Sequence, residues 1–240
     1  MKINKQEIIY LIASAILIGY IVSFNELLTQ AVQSWIIWLN LTIAAFVIVA
    51  VNVFAKKLAA WKKGCELEMK LWTFRRFWFP ERMKFPFLFP IWFVLPLIIT
   101  WLSTGRLWWL AILVFEAEPT FSRVRERWTE LTEWDLALFA AAGVYANIVL
   151  AVIFKAFGAQ QFAMLSAWFA FFCLIPIGNL DGAKIFFGGD NGRLFWIFSI
   201  ALTAIALILL SVASIISTIL AAIVGAFVVM LLYYLFVERK

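Results

Sequence analysis

The sequence predicts an all-α polytopic membrane protein with about six transmembrane helices and, between the second and third spans, a membrane-associated loop or small β-sheet region. Three observations predict it. The 240-residue chain is 65% hydrophobic and only 14% charged. Apolar runs of about 17–25 residues recur along it, long enough to cross a hydrocarbon core as helices. The net charge of +6 gathers between those runs, where it signals orientation in the membrane rather than a nucleic-acid partner. The spans use up the length, so the chain reads as a single membrane domain, 1–240, with the lipid bilayer as its first partner and no room for a soluble catalytic domain. Histidine is absent, which removes the commonest metal ligand and the usual general base together.

The first span is expected over 8–24. It reads as a retained helix, because its apolar core is long for a signal peptide and no small-residue cleavage site precedes Asn25. A short, faintly acidic turn over 25–33 leads to the second span, 34–55. The sequon Asn40-Leu41-Thr42 lies inside that span and reads as helix interior. After this first unit, 1–55, comes a basic, aromatic stretch over 56–133. Its opening loop, 56–84, sets Lys56, Lys57, Lys62, Lys63, Lys70, Arg75, Arg76, Arg82 and Lys84 against Glu66, Glu68 and Glu81. The positive-inside rule puts this loop, and with it the amino terminus, in the cytoplasm.

Within that stretch, Glu66-Leu67-Glu68-Met69-Lys70-Leu71-Trp72 alternates polar and apolar residues, the period of a strand with one greasy face. The segment 85–133 is interrupted by Pro86, Pro90 and Pro96 and turns basic again at Arg123, Arg125 and Arg127. It is expected to dip into the bilayer and return, as a re-entrant or strand region leaning on the other helices. The third and fourth spans, 133–157 and 161–177, meet at Gly158-Ala159-Gln160 and belong to a unit over 134–187. A helical hairpin over 193–240 closes the chain, and six crossings leave both termini cytoplasmic. Gly188-Gly189-Asp190-Asn191-Gly192 lacks the further carboxylates of a calcium loop and reads as a tight turn. Cys65 and Cys173 sit in unlike surroundings, which indicates neither a disulfide nor a thiolate metal site.

Two stretches stand out chemically. In Pro176-Ile177-Gly178-Asn179-Leu180-Asp181-Gly182 an apolar segment stops at a carboxylate among turn-forming residues. A carboxylate so close to an apolar span is hydrated, paired or functional, and a solvated helix cap is the plain alternative. In Ala142-Gly143-Val144-Tyr145-Ala146-Asn147 small residues and an amide occupy the middle of a span. Small residues let a neighbouring backbone approach, and an Asn at that depth needs a partner, so ordinary helix packing also explains them.

Together these stretches resemble the site-2 protease family of intramembrane zinc metalloproteases, in particular its archaeal-type members. In that family one span ends in HExxH, a second carries an AGPxxN-like sequence, and a third ends in a PxxxLDG-like sequence whose aspartate is the last metal ligand. Gly143 and Asn147 match the second motif, with Val144 where proline is usual. Pro176, Leu180, Asp181 and Gly182 match the third. The continuation that follows the histidine motif resembles 57–69, which aligns HExxH with Asn52-Val53-Phe54-Ala55-Lys56. The resemblance then implies a degenerate site of Asn52, Val53, Lys56 and Asp181, with no catalytic residue, no metal ligand set and no cofactor. Protonated Lys56 has no lone pair, Asn52 is a poor zinc ligand, Val53 moves no proton, and a catalytic zinc needs three protein ligands and a base.

Asn52 and Lys56 are four apart, on one face of a helix. The expectation is that the Lys56 ammonium takes the metal's electrostatic place beside Asp181, with Asn52 and Asn147 completing the hydrogen bonds. The alternative is that Lys56 snorkels to the interface and never meets Asp181. Three function classes remain open: a catalytically inactive pseudoprotease that binds or scaffolds another membrane protein or transmembrane helix, a structural subunit of a larger membrane complex, or an active intramembrane metallopeptidase with a non-standard site. A transporter is disfavoured, because apart from Lys155, near a helix end, and Asp181 no ionisable residue is well placed inside a span.

Overall fold

The computed structural model describes residues 4–29, 34–76, 84–120 and 131–238. The order is α1 (Lys5–Thr29), α2 (Ser34–Lys62), β1 (Cys65–Leu71), β2 (Phe74–Arg76), β3 (Lys84–Phe89), α3 (Ile91–Leu102), β4 (Leu113–Pro119), α4 (Glu133–Ala156), α5 (Gln160–Cys173), α6 (Asp181–Phe186), α7 (Gly192–Val212) and α8 (Ile215–Tyr233). Among the described residues, α1, α2, α4, α7 and α8 are long and apolar enough to cross a membrane. The chain is a multi-pass membrane protein built mainly of helices.

The first two helices form a hairpin whose close crossing needs a glycine. A Cβ on Gly19 would come within 2.1 Å of Thr42 Oγ1 and 2.9 Å of Thr42 Cα. Ile18, Ile21, Ile48 and Val49 are buried beside this seam, and the same apolar cluster continues through Phe139, Ala140 and Val144 of α4 and Leu165 and Phe169 of α5. The sequon lies within α2, as expected, with Leu41 buried and Thr42 Oγ1 donating to Trp38 O at 2.8 Å.

Two boundaries differ from the sequence reading. The turn expected over 25–33 begins later, because α1 continues to Thr29. The basic loop expected to open at Lys56 begins only after Lys62, because α2 carries straight through its lysines. The reason is electrostatic: Lys56 and Lys57 each find a buried carboxylate, so their charge does not force the helix out of the protein.

The alternating stretch is a strand. Cys65, Leu67 and Met69 of β1 are buried while Glu66 and Glu68 are exposed, and β1 pairs antiparallel with β4, Leu67 opposite Ala117 and Met69 opposite Phe115. Lys70 joins the strands across the exposed face, donating to Glu116 at 2.5 Å, and that hydrogen bond holds its ammonium pKa above the ordinary lysine value. A second two-stranded sheet pairs β2 with β3. The 12-residue α3 rises about 18 Å, well short of a hydrocarbon core of about 30 Å. The aromatic and charged run over 77–83 and the basic return at Arg123, Arg125 and Arg127 lie outside the described residues.

A capping box starts α4, with Thr132 Oγ1 accepting from Asp135 N at 3.1 Å and the Asp135 carboxylate accepting from Thr132 N. Gly158, at φ +76°, makes the turn into α5. The fourth span expected over 161–177 is helical only to Cys173; this 14-residue helix rises about 21 Å. Residues 174–180 are an irregular connection in which Gly178 takes φ +58°. Lys155 Nζ and Gln160 Nε2 both donate to Leu210 O, at 2.7 and 2.8 Å, and so close the carboxyl end of α7. The glycine-rich stretch over 188–192 is a turn, with Gly189 at φ +84°. Most of α8 is exposed apolar surface, with Thr218, Ala222 and Ala226 as its buried face, as a helix bathed in lipid requires.

Candidate functional site

The site forms where α2, α4 and α6 meet. Lys56 lies in the last two turns of α2, and Asp181 is the first residue of α6, placed there because Leu180 ends the irregular connection in an extended conformation. Lys56 Nζ donates to Asp181 Oδ2 at 2.5 Å, and the two side chains are 1% and 2% exposed. The ammonium therefore does not snorkel; it is enclosed, and the pair is among the most buried polar contacts of the fold.

Glycines make that approach possible. A Cβ on Gly143 would stand 2.5 Å from Lys56 Cε and 2.8 Å from Asn52 Nδ2, so Asn52 and Lys56 converge on one bare patch of α4. A Cβ on Gly182 would stand 2.1 Å from Leu174 O, so the backbone of α6 is seated against the end of α5 with no room for a side chain. We expect Gly143→Ala to push the Lys56 side chain off its course, at an overpacking cost of about 1–3 kcal/mol. In a Lys56→Met background, whose side chain adapts, the same change should cost less. Thermal unfolding of the two single variants and the double variant in detergent measures the coupling, and strict additivity would show that Gly143 does not act through Lys56.

The expected completion of the pair by two amides is corrected. Asn52 Nδ2, both side-chain polar atoms of Asn147 and Asp181 Oδ1 are buried with no hydrogen-bond partner among the described protein atoms. The helices bring Asn52 to the same glycine as Lys56 but not into hydrogen-bonding geometry with the carboxylate. The backbone carbonyl of Asn147 does bond, accepting from Ser166 Oγ at 2.8 Å, and joins α4 to α5. Val53 is buried in the apolar core. Leu180 packs in a separate buried cluster with Trp72 and Trp109, while Pro176 lies on the exposed part of the connection.

Three neighbours of Asp181 were not singled out from the sequence. Cys173, at the end of α5, is buried and adjoins both Asp181 and Lys56. Lys184, three residues after Asp181 on α6, donates to Phe115 O and places its Nζ 3.4 Å from the Phe115 ring centroid, while Lys56 Nζ lies 5.5 Å from the same centroid. Burial pushes the Lys184 pKa down to about 8, against the opposing pull of Asp181. The one signal for Lys184 was its three-residue spacing from Asp181; Phe115 and Cys173 reach the site only through the fold.

A second buried pair was also missed. Lys57 Nζ lies 2.7 Å from Glu7 Oε1 and 2.8 Å from Glu7 Oε2. Glu7 also accepts from the backbone N–H groups of Met69, at 2.9 Å, and Asn4, at 2.8 Å.

A zinc such as site-2 proteases hold does not fit these donors. The Asp181 oxygen facing α2 is occupied by an ammonium, Val53 offers no donor, and Asn52, packed against Gly143, carries an amide, a poor zinc ligand. Among the described residues no cluster of three or more His, Cys, Asp or Glu could hold a metal. Comparison with protein-family models, curated proteins and solved structures found no match to this chain.

Proposed function

We propose that the chain is a catalytically inactive, site-2-protease-like membrane protein, a pseudoprotease that binds or scaffolds a transmembrane partner. One observation carries the reading: Lys56 meets Asp181 at 2.5 Å in a buried site, with Asn52 one turn earlier on the same helix and both α2 side chains against Gly143. Those are the positions at which the resemblance places two histidines, the metal-ligating aspartate and the close-packing glycine. A fixed cation in the metal's place preserves the helix arrangement and leaves nothing to activate water. In this reading α5 and the irregular chain after it make a sixth crossing, and the charges put both termini in the cytoplasm.

The test is to rebuild the ligand set. Asn52→His with Lys56→His, purified in mild detergent, is expected to take up about one zinc per chain by elemental analysis, and adding Asp181→Ala should abolish the uptake. A thermal melt of the zinc-free variant establishes that it is folded. A folded double variant that ignores zinc overturns the assignment of the positions, and zinc held by the natural sequence, or chelator-sensitive peptide cleavage by it, overturns the pseudoprotease reading. Affinity capture in the same detergent separates the binding roles: a stoichiometric companion marks a complex subunit, and substoichiometric, varied ones mark a binding module.

A further inference from the structure

The described residues contain a second feature, independent of the Lys56–Asp181 pair: a cleft of about 920 Å³ between α1, α2 and α3 with almost wholly apolar walls. Ala13, Leu17 and Tyr20 of α1 line one side, Trp35 and Trp38 of α2 close one end, and α3 supplies the other side as far as Trp101. We propose that this cleft seats an acyl chain of a bilayer phospholipid.

Three observations select that occupant. The cleft is continuous with the lipid-facing surface, because the lining residues Ile16 and Trp35 are exposed alongside Ile12, Ile36 and Leu39. Its end wall lies at the start of a span, where Trp35 and Trp38 meet edge to face with centroids 6.1 Å apart. Tryptophans favour the membrane–water interface, so the cleft begins at headgroup level. From Tyr20 to Ala13 it follows α1 for about 10 Å toward the middle of the helix, the direction an acyl chain takes from its headgroup.

The walls also argue against a second helix as the occupant. Helices pack in membranes through small residues, and this protein follows that practice at its own seams, with Gly19 against Thr42 and Gly225 against Ile205. The cleft has a single small residue, Ala13, among bulky aliphatic and aromatic side chains. Such irregular walls suit a flexible chain that bends to fill them.

The full chain in mild detergent, titrated with dioleoylphosphatidylcholine and examined by native mass spectrometry, is the test. The natural sequence is expected to retain one phospholipid per chain. Leu17→Trp, which fills the cleft, should lower retention at least fivefold, and Ile43→Trp, on exposed apolar surface outside the cleft, should leave it unchanged. If Leu17→Trp lowers the melting temperature, Ala13→Phe replaces it. No retained phospholipid, equal retention in the filled variant, or equal loss in Ile43→Trp overturns the proposal. A dimer in which Trp101 cross-links to a second copy also overturns it, because the cleft would then be covered by protein.

Discussion

Lys56→Met is expected to destabilise the protein by about 3–5 kcal/mol, because it leaves the Asp181 carboxylate buried without its counter-charge. Asp181→Leu should cost a similar amount by stranding the ammonium. The two changes together should recover much of the loss, since an apolar pair of comparable volume avoids the desolvation of both ions. The surroundings of Asp181 set the size of the effect: Lys56 is its one ion-pair partner among the described residues, the Cys173 thiol beside it is a weak donor, and the nearby Lys184 ammonium is engaged at Phe115 O. Unfolding in detergent micelles, followed by thermal or chemical denaturation, measures all three variants. Single variants within about 0.5 kcal/mol of the parent would show that the contact contributes nothing to the fold.

The Glu7–Lys57 pair carries the second large effect. Glu7→Ala strands the Lys57 ammonium, at about 3–5 kcal/mol, and leaves the Met69 N–H without its acceptor, at about a further 1–3 kcal/mol. Glu7→Gln keeps an oxygen for Met69 while losing the charge, so its cost should fall clearly below that of Glu7→Ala. Limited proteolysis adds a local readout, because Glu7 ties the start of α1 to both α2 and β1: Glu7→Ala should expose the first turns of α1 to cleavage before the rest of the chain melts. Equal stability and equal protease resistance in Glu7→Ala and the parent would remove the pair from any structural role.

How far these contacts could be read from the sequence depends on what kind of signal each leaves. The membrane class follows from the solvent, since long apolar runs have few other homes, and β1 was legible because one buried face enforces a period of two. The Lys56–Asp181 contact was reached only through a motif order, which supplied a partner that local pattern could not. Glu7 and Lys57 left no such trace. A lone glutamate and one of two adjacent lysines look like solvated charge at helix ends, and their partnership exists only once α1 and α2 pack side by side. The expected end of α2 at Ala55 failed for the same reason, because hydropathy counts a lysine as a boundary whether or not a carboxylate awaits it. Asn52 and Asn147 mark the opposite limit: the helical period placed Asn52 on the Lys56 face but could not settle the angle at which its amide arrives.

The two buried lysines of α2 also impose an order on biosynthesis. Lys57 finds Glu7 among residues already made, 50 positions earlier, so that contact can close as soon as the first hairpin enters the membrane. Lys56 must wait for Asp181, 125 positions later, which at ordinary ribosomal speeds is a delay of about 6–25 s. Through that interval the nascent chain carries a cation without its eventual partner, and the arrival of α6 adds a charge contact to the apolar packing that already joins α2 to α4.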